Sequence, residues 1–329
     1  TLVKSSAASD VYKRQGGSVT IWIMSVASSI FRGLGDMRYP ARMMIVGSLI
    51  QVPLSGALVL GYFGAPKLGL FGAAVSVIAT SAVMAVIILL RLTRAELPAN
   101  LRLSRLGLRQ HHFQDIGRVA LPASLSPIST VTTILVLTGL VGQFGEEALA
   151  GYGIGSRIEF LMSSLIFGIG ATMTSLVGMS IGARNADRAE EIGWTGAGMS
   201  FVLGGVIGTL LAVFPHVWIP VFTDDPMVYE TAKGFIQIVG PCLAIHGIGW
   251  ALYFASQGAG AMRGPVAALI ARPIVAIGTA FLLLGPMDMG MTGVFIGAVG
   301  GMFAYTVIVT ASMKGGAWRR QIPASTVQT

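Results

Sequence analysis

The sequence predicts an all-α membrane protein with about nine transmembrane helices. Of its 329 residues, 53% are hydrophobic and only 11% are charged, whereas a soluble domain carries about 25% charged residues. The mean hydropathy is +0.75. The apolar residues form long, continuous runs, unlike the short alternating segments of a transmembrane β-barrel. The 44 glycines also suit membrane helices, because small residues let such helices approach one another closely.

Nine apolar runs are candidate spans. The first is shorter than the roughly 20 residues that a span needs. Several of the others contain internal Gly or Pro, which membrane helices tolerate. The runs cover about residues 17–31, 40–63, 69–91, 117–143, 146–183, 193–223, 227–258, 265–285 and 289–313.

Lys and Arg concentrate in alternate loops, which predicts the topology. The positive-inside rule makes the basic loops cytoplasmic and places the C-terminus inside. The net charge of +8 is therefore interpreted as a topology signal, not as a nucleic-acid-binding surface. The basic loops contain residues 32–42, 91–118, 184–188, Arg263 and 314–320.

An internal repeat divides the chain. Residues 32–40 read RGLGDMRYP and residues 257–265 read QGAGAMRGP, so Gly, Met, Arg and Pro recur at a constant offset of 225. The second run after each copy opens with a related pattern, GLFGAA or GMTGVF. Both copies are expected on the cytoplasmic side, which indicates parallel repeats related by an axis along the membrane normal.

The repeat and the composition together predict the domain organisation. Polar residues 1–15 are interpreted as a foreign or disordered segment. Residues 16–91 form an incomplete N-terminal bundle of three helices, and residues 92–116 a basic cytoplasmic linker. Residues 117–315 form a C-terminal bundle of six helices, followed by a cytoplasmic tail at 316–329. If the two halves were once equal, three helices are missing from the N-terminal half.

Glu159 is the candidate ion-coupling residue. It lies about 16 Å along a helix counted from Ala148, near the midplane of a hydrocarbon core of about 30 Å. A charge there costs about 2.5–3.5 kcal/mol on insertion scales and usually faces a water-filled cavity. A structural ion pair is the alternative. Arg157, two residues away, points to another side of the helix and is interpreted as structural.

Two polar stripes are candidates for the wall of a substrate cavity. In the run 227–258, four residues share a helix face by i, i+3 and i, i+4 spacing and could hold aromatic cations by cation–π contact. The run 117–143 combines two prolines with hydroxyl residues, which suggests a bent cavity wall. Ordinary helix packing explains both stripes equally well. Arg272 is interpreted as a structural residue that snorkels to the cytoplasmic surface. The candidate cavity residues are Ser126, Thr130, His246, Trp250, Tyr253 and Gln257.

Several motifs resemble the multidrug and toxic compound extrusion (MATE) family. They are RGLGDMRYP, ALAGYGIGSRIEFL, GIGATMTSLVGMSIGARN and QGAGAMRGP, in that order, and the likeness runs from about residue 17 to 315. The resemblance implies two bundles of six helices, with this chain matching helices four to twelve. It also implies export of cationic or amphipathic compounds by sodium or proton antiport.

The same resemblance bears on the coupling ion. Sodium-coupled members carry carboxylates in the seventh and tenth helices, and the matching runs, 117–143 and 227–258, have none in their interiors. We therefore expect protons rather than sodium as the coupling ion.

The predicted function is that of a secondary transporter that exports organic cations or amphipathic drugs by alternating access. A lipid-linked saccharide flippase of related fold and a non-transporting remnant are the alternatives. The sequence carries no HExxH or GxSxG motif, so no enzyme, cofactor or metal site is expected. The single cysteine, Cys242, cannot form an intrachain disulfide. We expect a multi-pass monomer in the cell (plasma or inner) membrane, with a small-molecule substrate and no nucleic-acid partner.

Overall fold

A computed structural model describes residues 2–64, 66–93 and 110–322, and these residues form helices joined by short turns. The chain divides into two compact units, residues 1–108 and 109–329. The first unit contains α1 (Leu2–Gly33), α2 (Arg38–Leu60) and α3 (Leu70–Leu92). The second contains α4 (Gln110–Ala123), α5 (Leu125–Val141), α6 (Glu146–Gly182), α7 (Ala186–Val213), α8 (Pro226–Val239), α9 (Leu243–Ala259), α10 (Arg263–Leu284) and α11 (Gly290–Lys314).

The helices confirm the predicted membrane class. Within the described residues, seven helical segments are long and apolar enough to cross a membrane, and α8 with α9 forms an eighth candidate, bent by 60°. The first predicted span, 17–31, lies inside α1, which is not among them. The predicted run 193–223 ends earlier than expected, because α7 stops at Val213 and two short 3₁₀ turns follow, Pro215–Val217 and Ile219–Val221.

Proline and glycine break two of the spans. The span Ile116–Phe144 is interrupted at Ser124, between Pro122 and Pro127. Proline removes a backbone donor and disturbs the helical ladder. The Ser124 hydroxyl donates to the Leu121 carbonyl at 2.7 Å, which satisfies one of the carbonyls near the break. The other break, between α8 and α9, falls at Gly240, Pro241 and Cys242.

The two copies of the repeat adopt the same backbone turn. Gly35 and Gly260 have left-handed φ angles of 84° and 71°, a region that glycine enters without strain. In the first turn the Gly35 N–H donates to Arg32 at 3.0 Å, and in the second the Gly260 N–H donates to Gln257 at 3.1 Å. The helices that follow begin at Arg38 and Arg263, again 225 residues apart. The sequence repeat is thus also a structural repeat.

The first unit has a small core of its own. Ala27 and Phe31 of α1 are buried against Ile88 and Leu92 of α3. The ring of Phe31 lies 4.9 Å from that of Tyr39. The predicted foreign or disordered segment 1–15 is described from Leu2 onwards as part of α1. Its polarity does not oppose helix formation, because Ala, Lys and Arg are good helix formers.

The segments predicted as linker and tail are partly structured. α4 begins at Gln110, inside the predicted linker 92–116, whose residues 94–109 lie outside the described part of the chain. In the predicted tail, Trp318 is 1% exposed and its indole N–H donates to the Ser256 hydroxyl at 3.1 Å. Arg319 then donates to Asp187 and Glu190, each at 2.7 Å. The segment after α11 is therefore hydrogen-bonded to the N-terminal end of α7 and to the C-terminal end of α9.

Close contact between α10 and α11 fixes the position of Arg272. A Cβ atom on Gly301 of α11 would lie 2.7 Å from the Ala276 Cβ and 2.8 Å from the Arg272 carbonyl oxygen of α10. Real Cβ atoms essentially never approach so closely. Only glycine at this position allows the two backbones to lie so near one another.

Substitution of Gly301 therefore tests this contact. We expect Gly301→Ala to destabilise the protein by about 1–3 kcal/mol, the usual effect of overpacking, because backbone atoms of α10 cannot move aside. Gly278→Ala in α10 is the matched control, since a Cβ there meets nothing within 4 Å. Thermal unfolding in detergent measures both variants. Equal melting temperatures for the two variants would contradict the proposed contact.

Candidate functional site

The second unit contains a partly open cavity of about 140 Å³ between five helices. The walls come from α5, α6, α9, α10 and α11, and they combine hydroxyl, aromatic and aliphatic side chains with one carboxylate and one guanidinium. The lining residues are Thr130, Thr133, Ile134, Leu137, Tyr152, Ser156, Glu159, Phe160, Met162, Ser163, Ile166, Leu243, His246, Trp250, Arg272 and Ala298.

Glu159 belongs to a polar face of α6. Tyr152, Ser156, Glu159 and Ser163 are spaced by three or four residues, so they lie on one side of the helix, and all four line the cavity. The Glu159 side chain keeps 25% of its surface exposed. Sequence reasoning found the carboxylate but missed its neighbours, although the helical period that places them was readable in the sequence.

The side chain of Arg272 does not have the predicted orientation. The sequence interpretation has it snorkel toward the cytoplasmic surface, but the structure turns it inward, with only 7% of its surface exposed. Its Nη2 atom lies 3.9 Å from Oε2 of Glu159. Arg272 is the tenth residue of α10, about 14 Å from the helix start. This depth is near the middle of the span, and a charged side chain there normally faces a protein interior or cavity.

His246 is the third ionisable group of the wall. It is 7% exposed, and its Nδ1 atom is buried without a hydrogen-bond partner in the described residues. The ring lies 5.8 Å from that of Trp250 and 5.7 Å from that of Tyr305. His246 and Trp250 both line the cavity, one helical turn apart on α9.

Three of the six predicted cavity residues lie elsewhere. Thr130, His246 and Trp250 line the cavity, whereas Ser126, Tyr253 and Gln257 do not. The Tyr253 hydroxyl instead lies 3.5 Å from the Ala123 carbonyl, where it can donate a hydrogen bond at the α4–α5 break. The stripe on α9 extends about 16 Å from residue 246 to residue 257, farther than the cavity reaches. Its second half packs against other helices.

Arg157 is separate from this site. It is exposed, and its guanidinium lies 4.6 Å from the ring centre of Phe222. Cation–π contacts of this kind contribute about 0.5–1 kcal/mol at exposed sites. The contact joins α6 to the segment between α7 and α8, which is consistent with the structural role predicted for Arg157.

The cavity holds balanced charges. Glu159 contributes a negative charge to the wall when it is ionised, and Arg272 contributes a positive charge to the same wall. An ionised Glu159 therefore gives a net charge of zero, and a protonated Glu159 gives a net charge of +1. Within residues 2–64, 66–93 and 110–322, no group of three His, Cys, Asp or Glu side chains is placed to hold a metal ion.

The fold and the cavity define the class of protein. The chain is a multi-pass helical membrane protein of the transporter type, with a polar cavity inside a helical bundle. The family model MatE matches residues 122–282. The chain is 27% identical over 97% of its length to a probable multidrug resistance protein, NorM, of Thermotoga maritima, and covers 69% of that protein. These matches make the chain similar to the multidrug and toxic compound extrusion family.

Two further comparisons give a more distant relative and a solved structure with a similar fold. An FAD transporter of Shewanella oneidensis is 22% identical, with 87% of this chain and 61% of that protein covered. The structure also superposes on the outward-facing conformation of a multidrug resistance MATE transporter with a TM-score of 0.83 at 22% identity, covering 92% of this chain and 68% of the other. The chain thus spans about 60–70% of the length of these proteins.

The charge pair of the cavity can be tested by unfolding. We expect Arg272→Met to destabilise the protein by up to about 3–5 kcal/mol, because removal of one partner leaves the other buried charge unpaired. Adding Glu159→Gln to this variant should restore much of the loss, since no charge then remains. Denaturation of the single and double variants in detergent gives the comparison. A double variant that is less stable than Arg272→Met would contradict the pairing.

Proposed function

We propose that the chain acts in a secondary transporter that exports amphipathic compounds, including organic cations, in exchange for protons. The observation that carries this proposal is the position of Glu159, which faces an internal cavity 3.9 Å from Arg272. A membrane-embedded carboxylate beside a cavity is typical of proton relays in transporters. Alternating access would then expose this cavity to one side of the membrane at a time.

Protonation of Glu159 supplies a physical basis for coupling. When Glu159 is ionised, it neutralises Arg272 and offers oxygen atoms to a cation. When it is protonated, the cavity carries the positive charge of Arg272 alone and repels a cation. Two unit charges about 4 Å apart interact by roughly 4 kcal/mol at an effective dielectric constant of 20, so proton and cation binding oppose one another strongly. A ligand that binds one state better must shift the equilibrium toward it.

The proposed coupling ion remains the proton rather than sodium. Glu159 is the one carboxylate among the residues that line this cavity, and Arg272 beside it repels metal cations. We further propose that the protein is a monomer in the cell membrane. We also propose a cytoplasmic C-terminus, because the basic loops alternate along the chain.

The residues of the cavity wall argue against the flippase, and an experiment can decide on the non-transporting remnant. A lipid-linked saccharide flippase needs several cationic groups to hold a pyrophosphate, and the cavity wall contains one arginine and no lysine. The relative named an FAD transporter indicates that cargo in this family is not confined to cations. A non-transporting remnant predicts no coupling between cargo and proton binding, which an experiment can decide.

Proton release on cargo binding tests the coupling. Benzyltrimethylammonium, a small organic cation with a permanent charge, is added to the purified chain in weakly buffered detergent at a series of pH values. We expect binding to release protons that a pH indicator records, because the cation and the proton compete for Glu159. Glu159→Gln should bind without proton release.

Glu230→Gln is the matched control for this experiment. Glu230 is 66% exposed on α8, and its carboxylate is bonded to Lys233 at 3.0 Å. It does not line the cavity, so its substitution should leave proton release intact. Equal proton release from the wild-type chain and Glu159→Gln, or none from either, would refute coupling through this carboxylate.

A further inference from the structure

Arg272 carries more hydrogen-bonding capacity than the structure uses. Its guanidinium has five N–H donors, yet no described residue accepts a hydrogen bond from them. The nearest carboxylate oxygen, on Glu159, is 3.9 Å away, whereas charge-assisted hydrogen bonds measure about 2.7–2.9 Å. Buried charges are normally both paired and hydrogen-bonded. Arg272 is only 7% exposed and lines a cavity, so its guanidinium is arranged to receive acceptor oxygens from a ligand.

His246 is a second buried group without a partner in the same wall. Its Nδ1 atom makes no hydrogen bond in the described residues, although the residue is only 7% exposed. A neutral imidazole nitrogen either donates or accepts, according to where its proton lies. The cavity thus presents a donor group, an acceptor carboxylate and an imidazole that can serve either.

We infer that this cavity binds a zwitterionic head group, with its ammonium at Glu159 and its carboxylate at Arg272. The inference rests on the proposed function, in which cargo enters this cavity. A simple cation that takes Glu159 leaves Arg272 buried and unpaired. A simple anion that binds Arg272 leaves Glu159 buried and unpaired. A zwitterion replaces one internal ion pair by two pairs with the ligand, so that no buried charge is left without a partner.

The separation of the two protein charges sets the spacing in the ligand. Glu159 and Arg272 approach to 3.9 Å, so the ammonium and the carboxylate must lie on the same or neighbouring carbon atoms, as in an amino acid. A ligand with its charges at opposite ends of a ring cannot reach both groups at once.

The cavity volume indicates how much of the ligand is held. At about 140 Å³, the cavity is smaller than the roughly 300–1,000 Å³ of pockets that enclose drug-sized ligands. It accommodates a charged head group and the start of an apolar body. Trp250, Tyr152 and Phe160 of the wall suit an aromatic body, because aromatic rings pack favourably edge to face.

Four small probes with a common benzene ring test the inference. Phenethylamine carries only the cation, 3-phenylpropionate only the anion, and phenylalanine both on one carbon atom. 4-(Aminomethyl)benzoate carries both charges at opposite ends of the ring. Isothermal titration calorimetry of the purified full chain should show phenylalanine binding at least about tenfold more tightly than the other three, a difference of about 1.4 kcal/mol.

Substitutions then assign each charge to its protein partner. In Arg272→Gln, phenethylamine should bind at least as tightly as phenylalanine. In Glu159→Gln, 3-phenylpropionate should become the tightest probe. Arg272→Lys is the matched control, because it keeps the charge but loses the fork geometry, and it should retain a weaker preference for phenylalanine.

Several results would overturn the zwitterion site. One is phenylalanine binding no tighter than the single-charge probes, including no measurable binding of any probe. Another is an unchanged ranking in a folded Arg272→Gln variant. If that variant does not fold, the wild-type ranking and Arg272→Lys decide. Proton release by benzyltrimethylammonium together with a wrong ranking would remove only this inference, whereas the absence of proton release would remove the proposed coupling itself.

Discussion

The structure of the second unit depends on one electrostatic constraint: two opposite charges lie inside a bundle that crosses a membrane. Each charge would be expensive alone at this depth. Together they form an ion pair without a hydrogen bond, because 3.9 Å is too long for one. Three hydroxyl groups of the wall donate to carbonyls of their own helices. Thr133 donates to Ser129 at 2.8 Å, Ser156 to Gly153 at 3.2 Å and Ser163 to Phe160 at 2.9 Å. The charges are therefore left available to whatever enters the cavity.

Holding these charges apart requires a rigid frame. The Arg272 carbonyl is pressed against Gly301 of α11, and one turn earlier the Leu269 carbonyl accepts a hydrogen bond of 2.6 Å from Ser129 of α5. Both contacts act on the backbone of α10, so α5 and α11 fix the arginine from two sides. On the opposite wall, Glu159 is carried by α6, a helix of 37 residues. A loose loop could not keep two charges separated by a gap that favours a ligand over a direct salt bridge.

The sequence predicted the fold far better than the site. Hydropathy, loop charge and the repeat depend on short-range patterns, and they placed α2, α3, α6, α10 and α11 within a few residues. The breaks at Ser124 and Gly240 coincide with proline and glycine residues that the sequence displays. The partner of Glu159 could not be read in this way, because it lies 113 residues later on another helix and the facing sides of helices depend on their packing. For the same reason the predicted stripe on α9 includes His246 and Trp250, which line the cavity, together with Tyr253 and Gln257, which do not.

Comparison of the two copies of the repeat separates residues that the fold requires from residues that belong to the cavity. At an offset of 225, Gly260 and Arg263 correspond to Gly35 and Arg38, and the turn geometry is shared. Arg272, His246 and Trp250 correspond to Gly47, Ile21 and Ser25, which carry neither charge nor aromatic ring. The residues common to both copies are those that a left-handed turn and a helix start require. Of the two charges in the cavity, Arg272 can be compared in this way, and its counterpart is uncharged. The repeated architecture therefore does not require this arginine, and a charged group in a membrane interior usually marks a functional site.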